Sequence, residues 1–257
     1  MKYTDLIFDL YGTLVDIHTE VNDLVWEKAA LYFGFHGAHY TGPELEAAFA
    51  AALAERNAQA GQSYECFPDI PYEEVMAQLF RDKGVVENAE ALGFNAAQLD
   101  RICSIEYVRL YPHVLEALAS LHASGCRLWL LSNAQRAFTA YELRHLGLDT
   151  AFDGIYISSD YRCRKPDRRF FQALIEEQRL DPARCLMIGN DRETDIAGAV
   201  NAGLDTLYMH TLLTPPGQAE ADPALYPGKT EHHYEFEGDD WMTLSRLLRE
   251  DILCRTF

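Results

Sequence analysis

Residues 6–13 read Leu6-Ile7-Phe8-Asp9-Leu10-Tyr11-Gly12-Thr13. Three consecutive apolar residues lead into an aspartate, and a glycine follows three positions later. An uninterrupted apolar run is typical of a parallel strand that is covered on both faces. Because Gly12 allows the chain to turn sharply, Asp9 is left at the carboxyl end of that strand. The segment therefore predicts a first strand that ends in an ionisable side chain.

Further along the chain, short apolar runs alternate with amphipathic stretches. The predicted strands are 127–131, 154–158, 185–188 and 206–209, and the predicted helices are 112–123, 135–146, 167–178, 193–202 and 240–249. Strands that alternate with helices of this length imply parallel strands joined by right-handed crossovers. We therefore predict an α/β protein with a doubly wound parallel sheet.

Residues 16–109 interrupt this alternation. Four amphipathic helices are predicted there, at 21–33, 43–60, 72–83 and 96–109, and no strand. We therefore predict a helical domain, 16–109, inserted after the first strand into an α/β core made of 1–15 and 110–257. Within that core, 211–233 is predicted to be a surface loop.

The composition excludes several classes of partner. The chain has 257 residues, with 22 Lys and Arg against 40 Asp and Glu, which gives a net charge of −18. A chain this acidic is not expected to bind nucleic acid or an anionic membrane. Its apolar runs are far shorter than the roughly 20 residues of a membrane span, and Met1–Thr4 lacks the features of a secretory signal. Six widely spaced cysteines are expected to be free thiols, which predicts a cytoplasmic protein. No pattern indicates the oligomeric state.

Chemically active residue types follow four of the predicted strands. They are found in Asp9 to Thr13, in Ser132-Asn133, at Lys165 and in Asn190 to Asp195. Each is ordinary alone, since an aspartate after a strand is often a cap and Ser-Asn is common in turns. However, open α/β sheets bind ligands beyond the carboxyl ends of their strands. The four together therefore predict one active site at that edge.

These segments resemble the four motifs of the haloacid dehalogenase (HAD) superfamily. The matching residues are Asp9-Leu10-Tyr11-Gly12-Thr13, Ser132-Asn133, Lys165-Pro166-Asp167 and Gly189-Asn190-Asp191-Arg192-Glu193-Thr194-Asp195. The resemblance covers about 1–15 and 110–210. It implies a Rossmann-like core, with the helical insert as a C1-type cap that closes over the site and helps to select the substrate.

The resemblance also implies a role for each motif. Asp9 would be the nucleophile, which forms a covalent aspartyl intermediate. Thr13 and Ser132 would donate hydrogen bonds to the transferring group, and Asn133 would support them. Lys165 would neutralise both Asp9 and the charge that develops on the substrate.

A Mg²⁺ ion is the implied cofactor, because hard cations prefer oxygen ligands. The expected ligands are Asp9, the backbone carbonyl of Tyr11 and Asp191. Asp195 would support the site, through water or by holding Lys165, and the neutral oxygen of Asn190 makes it a weaker candidate.

Tyr11 is an informative departure from the family's pattern. In most of the family's phosphatases this position is an aspartate that protonates the leaving group and later activates water. A phenol, with a pKa near about 10, can donate a proton but is a poor base at neutral pH. Its presence favours leaving groups that are stable anions, such as halide, an acyl phosphate or a nucleotide diphosphate. The alternative is that the ring only packs under the cap.

Two activities therefore compete. Asp9 to Leu14 resembles motif one of the metal-independent 2-haloacid dehalogenases, but those enzymes carry a non-acidic residue in place of Asp191 and a tyrosine in place of Phe171. They also use an early cap arginine, whereas the first arginine of this cap is Arg56.

A basic cluster favours a small anionic metabolite as the substrate, unless its helical members are solvated or paired with nearby glutamates. The cluster consists of Arg162, Arg164, Lys165, Arg168 and Arg169.

We expect a Mg²⁺-dependent phosphohydrolase that acts on a small phosphorylated metabolite through an Asp9 aspartyl-phosphate, with Arg164 as an auxiliary substrate residue. The first alternative is a 2-haloacid dehalogenase. The second is a poorly catalytic binding or regulatory protein, because Tyr11 replaces the usual acid.

Overall fold

The computed structural model describes residues 2–59, 66–215, 230 and 232–251. Within these ranges there are eight strands: β1 (Asp5–Phe8), β2 (Val15–Thr19), β3 (Ile105–Leu110), β4 (Arg127–Ser132), β5 (Gly154–Ile157), β6 (Cys185–Gly189), β7 (Asp205–His210) and β8 (His233–Glu237). The helices are α1 (Asp23–Phe35), α2 (Gly42–Gln59), α3 (Tyr72–Asp82), α4 (Ala89–Ser104), α5 (Val114–Ala123), α6 (Arg136–His145), α7 (Ser158–Tyr161), α8 (Arg168–Gln178), α9 (Gly198–Asn201) and α10 (Trp241–Glu250). A short π-helical segment, Arg192–Ala197, precedes α9.

Six of the strands form one parallel sheet in the order β5-β4-β1-β6-β7-β8. The chain runs outward from β1 through β4 to β5, and then returns to build the other half from β6. The sheet therefore has its topological switch point at β1, where such folds place their ligands. This confirms the predicted α/β, Rossmann-like sheet.

Strand β1 lies at the centre of the sheet because its alternate side chains enter two different cores. Phe8 belongs to the apolar cluster on one face and Ile7 to the cluster on the other. In the register of the sheet, Phe8 is opposite Leu130 on β4 and Ile188 on β6. Burial on both faces holds the end of β1, and Asp9 after it, in a rigid frame.

The helices α1 to α4 surround a third apolar cluster. Within it the rings of Phe33 and Phe80 stack with their centroids 3.9 Å apart, and Leu45 is fully buried. The helices predicted at 21–33, 43–60 and 72–83 are confirmed, with ends that differ by at most two residues.

The helix predicted at 96–109 is confirmed for 96–104, but its last five residues and the prediction of no strand between 16 and 109 are wrong. Helix α4 ends at Ser104, and Ile105–Leu110 forms β3, which pairs antiparallel with β2. The branched and aromatic side chains of β3 suit a strand. Its partner β2 lies about ninety residues earlier, so local periodicity does not reveal the pairing. The two strands form the connection between the sheet and the α1–α4 helices.

Strand β8 is also missing from the sequence-based prediction. It pairs with β7 at the edge of the sheet. The signal was the alternation of Tyr234 and Phe236 with polar residues, which is typical of a half-buried strand. Most of the predicted 211–233 loop lies outside the described residues.

Two further features concern membrane-spanning helices and the state of the cysteines. Of the helices in the described ranges, none has both the length and the apolar character that a bilayer crossing requires. Cys66, Cys103, Cys126, Cys163 and Cys185 are free thiols, and Cys254 lies outside the described residues.

Candidate active site

Asp9 follows β1 at the carboxyl edge of the sheet. Its backbone amide donates to the carbonyl of Ile188, which ties it to β6. Its Oδ1 lies 2.7 Å from Nζ of Lys165, and its Oδ2 accepts a hydrogen bond from Oγ1 of Thr13 at 3.2 Å. The side chain is buried but not sealed off, with the residue 7% exposed. The carboxylate is thus oriented by one cation and one hydroxyl.

Lys165 is almost completely buried, at 1% exposure, and joins two carboxylates. Its Nζ lies 2.6 Å from Oδ1 of Asp195 in addition to its contact with Asp9. Burial acts against the ammonium form, but the Asp195 and Asp9 carboxylates raise the pKa of Lys165 above its usual value. The side chain therefore carries a positive charge at neutral pH.

Asn133 positions this lysine from the end of β4. Its Oδ1 accepts from the backbone amide of Lys165 at 2.7 Å, and its Nδ2 donates to the Lys165 carbonyl at 2.9 Å. Two opposed hydrogen bonds fix the backbone from which the ammonium group extends. The structure therefore places Asn133 as a support for Lys165.

Asp195 lies behind Lys165, inside the protein. Burial raises the pKa of its carboxyl well above the usual range, the Lys165 ammonium lowers it, and the Asp9 carboxylate raises it again. Its Oδ2 accepts from the backbone amide of Asp191 at 3.0 Å. The carboxylate fits here only because Gly189 has no side chain, since a Cβ at that position would overlap it.

Gly12 and Asn190 meet above Asp9. Gly12 has a φ of +84°, which favours glycine, and a Cβ on it would overlap the Asn190 side-chain amide. Oδ1 of Asn190 accepts from Oγ1 of Thr13 at 3.2 Å. Asn190 therefore shares Thr13 with Asp9, which brings its amide oxygen close to the nucleophile candidate.

Asp191 has a structural duty in addition to any role in metal binding. Its Oδ1 accepts from the backbone amides of Glu193 and Thr194 at 2.9 and 2.7 Å. These bonds cap the π-helical segment that carries Asp195. Asp191 thus helps to orient Asp195, which in turn holds Lys165.

Ser132 ends β4 with a buried hydroxyl that is not satisfied. Within the described ranges its Oγ has no hydrogen-bond partner, and the residue has no exposed surface. Buried hydroxyls are normally hydrogen-bonded, because an unpaired one costs about 1–3 kcal/mol. The Ser132 hydroxyl therefore keeps an unused hydrogen-bonding capacity at the end of β4, next to Asn133.

The hydroxyl of Tyr11 is engaged away from this cluster. It donates to Oε2 of Glu142 at 2.5 Å, and Arg101 binds the same carboxylate at 2.6 and 2.9 Å. Burial and the Glu142 carboxylate raise the pKa of Tyr11 far above its usual value, so the phenol keeps its proton. The arrangement fits the interpretation in which the ring packs under the cap, and the sequence did not reveal Glu142 or Arg101.

A cavity of about 310 Å³ opens between the sheet and the α1–α4 helices. Core residues Tyr11, Asn133 and Arg164 line it from one side, and Tyr72, Asp100 and Arg101 from the other. Helix α3 is docked here, since the Tyr72 backbone amide donates to Oε1 of Gln135 at 2.9 Å. The volume is at the lower end of the roughly 300–1,000 Å³ usual for small-molecule sites.

Most of the basic side chains around Lys165 form ion pairs with nearby carboxylates. Arg162 binds Glu74, and Arg169 binds Asp167 at 2.6 Å. In contrast, the Arg164 guanidinium lines the cavity without a hydrogen bond or ion pair to any described residue. It is therefore available to an anion.

Asp100 is a further cavity residue that the sequence did not single out. Burial raises its pKa to about 6, although Arg101 acts to lower it. Its Oδ1 is buried, and no described residue donates a hydrogen bond to it. Nothing in the periodicity of α4 distinguishes this aspartate from a solvated one.

Replacing Asp100 with asparagine is expected to stabilise the protein as the pH rises. In the native protein the folded-state pKa of Asp100 lies above its unfolded value, so the protonated carboxyl stabilises the fold below about pH 4. That contribution is lost as the pH passes 6, whereas asparagine is neutral at every pH. Urea unfolding should therefore show a gain for Asp100→Asn of up to about 2 kcal/mol at pH 8 and a smaller gain at pH 5. Glu87→Gln, at an exposed site in the same region, should show no such trend. A gain that is independent of pH would contradict the assignment.

The donor set at the sheet edge fits Mg²⁺. Asp9, Asp191 and Asp195 supply carboxylates, Asn190 supplies an amide oxygen, and Lys165 supplies an ammonium group. Three carboxylates against one ammonium leave two negative charges when all are ionised, which a divalent cation would balance. Among the described residues no group of three or more His, Cys, Asp or Glu side chains converges as a metal site. Mg²⁺ does not need one, since it typically uses one or two carboxylates and keeps several waters.

Curated relatives include several phosphatases. The chain is 31% identical to the glyceraldehyde 3-phosphate phosphatase of Methanothermobacter thermautotrophicus over 115 residues, which cover 45% of this chain and 50% of the relative. It is 24% identical to a 5'-nucleotidase of Pseudomonas aeruginosa over 210 residues, which cover 79% and 81%. The chain thus matches only about half the length of the first of these relatives.

Solved structures show the same fold over nearly the whole chain. A 2-haloacid dehalogenase from Pseudomonas syringae superposes with a TM-score of 0.55 and 20% identity, over 96% of this chain and 99% of that one. A HAD phosphatase from Thermococcus onnurineus gives a TM-score of 0.54 and 16% identity, over 96% and 98%. Residues 6–203 match the family of haloacid dehalogenase-like hydrolases, and this chain belongs to that family.

Proposed function

We propose that the protein is a Mg²⁺-dependent phosphohydrolase that acts on a small phosphorylated metabolite. The observation that carries this proposal is the buried Lys165 ammonium, which lies 2.7 Å from Asp9 at the switch point of the sheet. A carboxylate oriented in this way beside an ammonium group is suited to nucleophilic attack. The named phosphatases among the relatives support the same reaction class.

The reaction would proceed in two displacements at phosphorus. A carboxylate oxygen of Asp9 forms a bond to phosphorus, while the bond from phosphorus to the leaving oxygen breaks and that oxygen keeps the electron pair. Water then attacks the phosphorus of the aspartyl-phosphate, loses a proton to solvent, and releases phosphate with the Asp9 carboxylate restored. Lys165 and the free Ser132 hydroxyl would stabilise the charge on the transferring phosphoryl oxygens.

The cation would be held by Asp9, Asn190, Asp191 and the Tyr11 carbonyl, with Asp195 as a supporting residue. When bound, Mg²⁺ would neutralise phosphate oxygens that would otherwise be repelled by the carboxylates. Arg164 would attract the substrate from the cavity side, where local positive charge raises the association rate of anions.

The leaving group would receive no proton from Tyr11, since that proton is donated to Glu142. The site should therefore prefer leaving groups that are stable without protonation. Acyl phosphates meet this condition and simple alkyl phosphates do not.

The test is a turnover assay on three compounds, with Mg²⁺ or with a chelator. We expect phosphate release that requires Mg²⁺, with acetyl phosphate hydrolysed faster than ethyl phosphate. Equal or faster turnover of ethyl phosphate would contradict the leaving-group argument. Chloride release from 2-chloropropionate without metal would instead support a 2-haloacid dehalogenase.

No turnover of any compound would favour the binding or regulatory alternative. In that case Tyr11→Asp should create Mg²⁺-dependent phosphatase activity that the parent protein lacks. The variant would restore a carboxyl group at the position where most of the family's phosphatases have one.

A further inference from the structure

The Asp100 carboxylate stands out among the polar groups of the cavity because it has no partner. It projects from α4 among the residues that line the space above Tyr11 and Asn133. Its Oδ1 is buried without a hydrogen bond, and neither of its oxygens accepts one from any described residue. A buried carboxylate oxygen without a hydrogen bond is costly, which indicates a partner that arrives from outside.

Two charged groups near Asp100 in this cavity, Asp69 and Arg101, are already engaged. Asp69 accepts hydrogen bonds from Gln135, at 2.8 Å, and from Ser158. Arg101 is held in a bidentate pair by Glu142, and so does not bind the adjacent Asp100. The protein thus leaves one strong acceptor, Asp100, unused in this cavity.

The occupant of that cavity would be the leaving group of the substrate. Tyr11 lies two residues after Asp9, and Asn133 holds the backbone of Lys165, whose ammonium group contacts Asp9. Both Tyr11 and Asn133 line the same space as Asp100, so a phosphoryl group at Asp9 would place the rest of the molecule toward α4. A carboxylate accepts hydrogen bonds and donates none, so it favours the binding of hydroxyl or ammonium groups and disfavours other anions. The cavity, at about 310 Å³, has room for a small leaving group beyond the phosphate.

Building on the proposed function, we propose that Asp100 is a specificity residue that binds a hydrogen-bond donor on the leaving group of the phosphorylated substrate. The donor can be a hydroxyl or an ammonium group. Charge-assisted hydrogen bonds of this kind are stronger than neutral ones, and a substrate that lacks the donor leaves the carboxylate unpaired.

The test compares three phosphate esters with the same three-carbon skeleton: propyl phosphate, glycerol 1-phosphate and 3-aminopropyl phosphate. With the native protein and Mg²⁺, kcat/KM should be at least about tenfold higher for one of the donor-bearing esters than for propyl phosphate, mainly through KM. The hydroxyl and ammonium esters separate the two kinds of donor. In Asp100→Asn and Asp100→Ser this preference should fall to near one.

Glu87→Gln is the matched control, because it removes an exposed carboxylate from the same region and should keep the preference. Turnover of all three esters without a donor preference, a preference that survives both Asp100 variants, or turnover of acetyl phosphate with none of the three esters hydrolysed would overturn the inference and leave the proposed function standing. A failure of the native protein to hydrolyse any phosphate compound, acetyl phosphate included, would overturn both.

Discussion

Asp9→Asn is expected to lower phosphate release by at least about four orders of magnitude, as is usual when a covalent nucleophile is removed. Asparagine keeps the shape of the side chain and the hydrogen bond from Thr13, but a neutral amide is a very poor nucleophile at phosphorus. It also removes the charge that pairs with Lys165 at 2.7 Å. Steady-state assays with acetyl phosphate and Mg²⁺ measure the loss.

The matched control is Asp149→Asn, an exposed aspartate in the turn before β5, which should retain full activity. Circular dichroism and thermal unfolding should show that Asp9→Asn is folded. If the folded variant kept even a tenth of the native rate, Asp9 would not be the nucleophile and the proposed mechanism would be wrong.

Lys165→Met is expected to impair both activity and stability. The variant leaves the Asp9 and Asp195 carboxylates buried together without their shared cation. Removing one partner of a buried ion pair typically costs about 3–5 kcal/mol, and the loss of charge stabilisation should reduce kcat by about a thousandfold. Lys28→Met, at an exposed position on α1, should change neither quantity.

The stability loss in Lys165→Met should depend on pH in a definite direction. In the native protein the Lys165 ammonium lowers the pKa of the Asp195 carboxyl, which burial and the Asp9 carboxylate raise, so its loss raises that pKa further above the unfolded value. Protonation of Asp195 then stabilises the fold at low pH, and this contribution is lost as the pH rises. Urea unfolding should therefore show a smaller deficit at pH 5 than at pH 8. A deficit that is larger at pH 5 would mean that the two carboxylates do not depend on this lysine.

The meeting of Asp9 and Lys165 at one edge of the sheet could be predicted because its signals are local in sequence. Asp9, Ser132 and Lys165 each stand next to a recognisable strand or helix boundary. The rules for parallel sheets then bring those boundaries to one edge, as the 2.7 Å contact between Asp9 and Lys165 shows.

Local patterns were less informative where a strand depends on a distant partner. The local pattern predicts the end of a helix at β3, because the pairing of β3 with β2 joins segments far apart in the chain. Strand β8 lies at the edge of the sheet and is only partly buried. It therefore alternates apolar with polar residues and has no continuous apolar run that would predict a strand.

From residues alone, the chain specified the sheet, the helical insert and the residue types at the strand ends, since each depends on neighbours within a few positions. The environment of those residues came only with folding. The Tyr11 hydroxyl meets Glu142 across 131 positions of sequence, and Arg101 meets the same carboxylate across 41. Whether Asp100 is paired, buried or solvated likewise depends on how α4 docks on the sheet. Burial and pairing are properties of packed surfaces, and no local pattern encodes them.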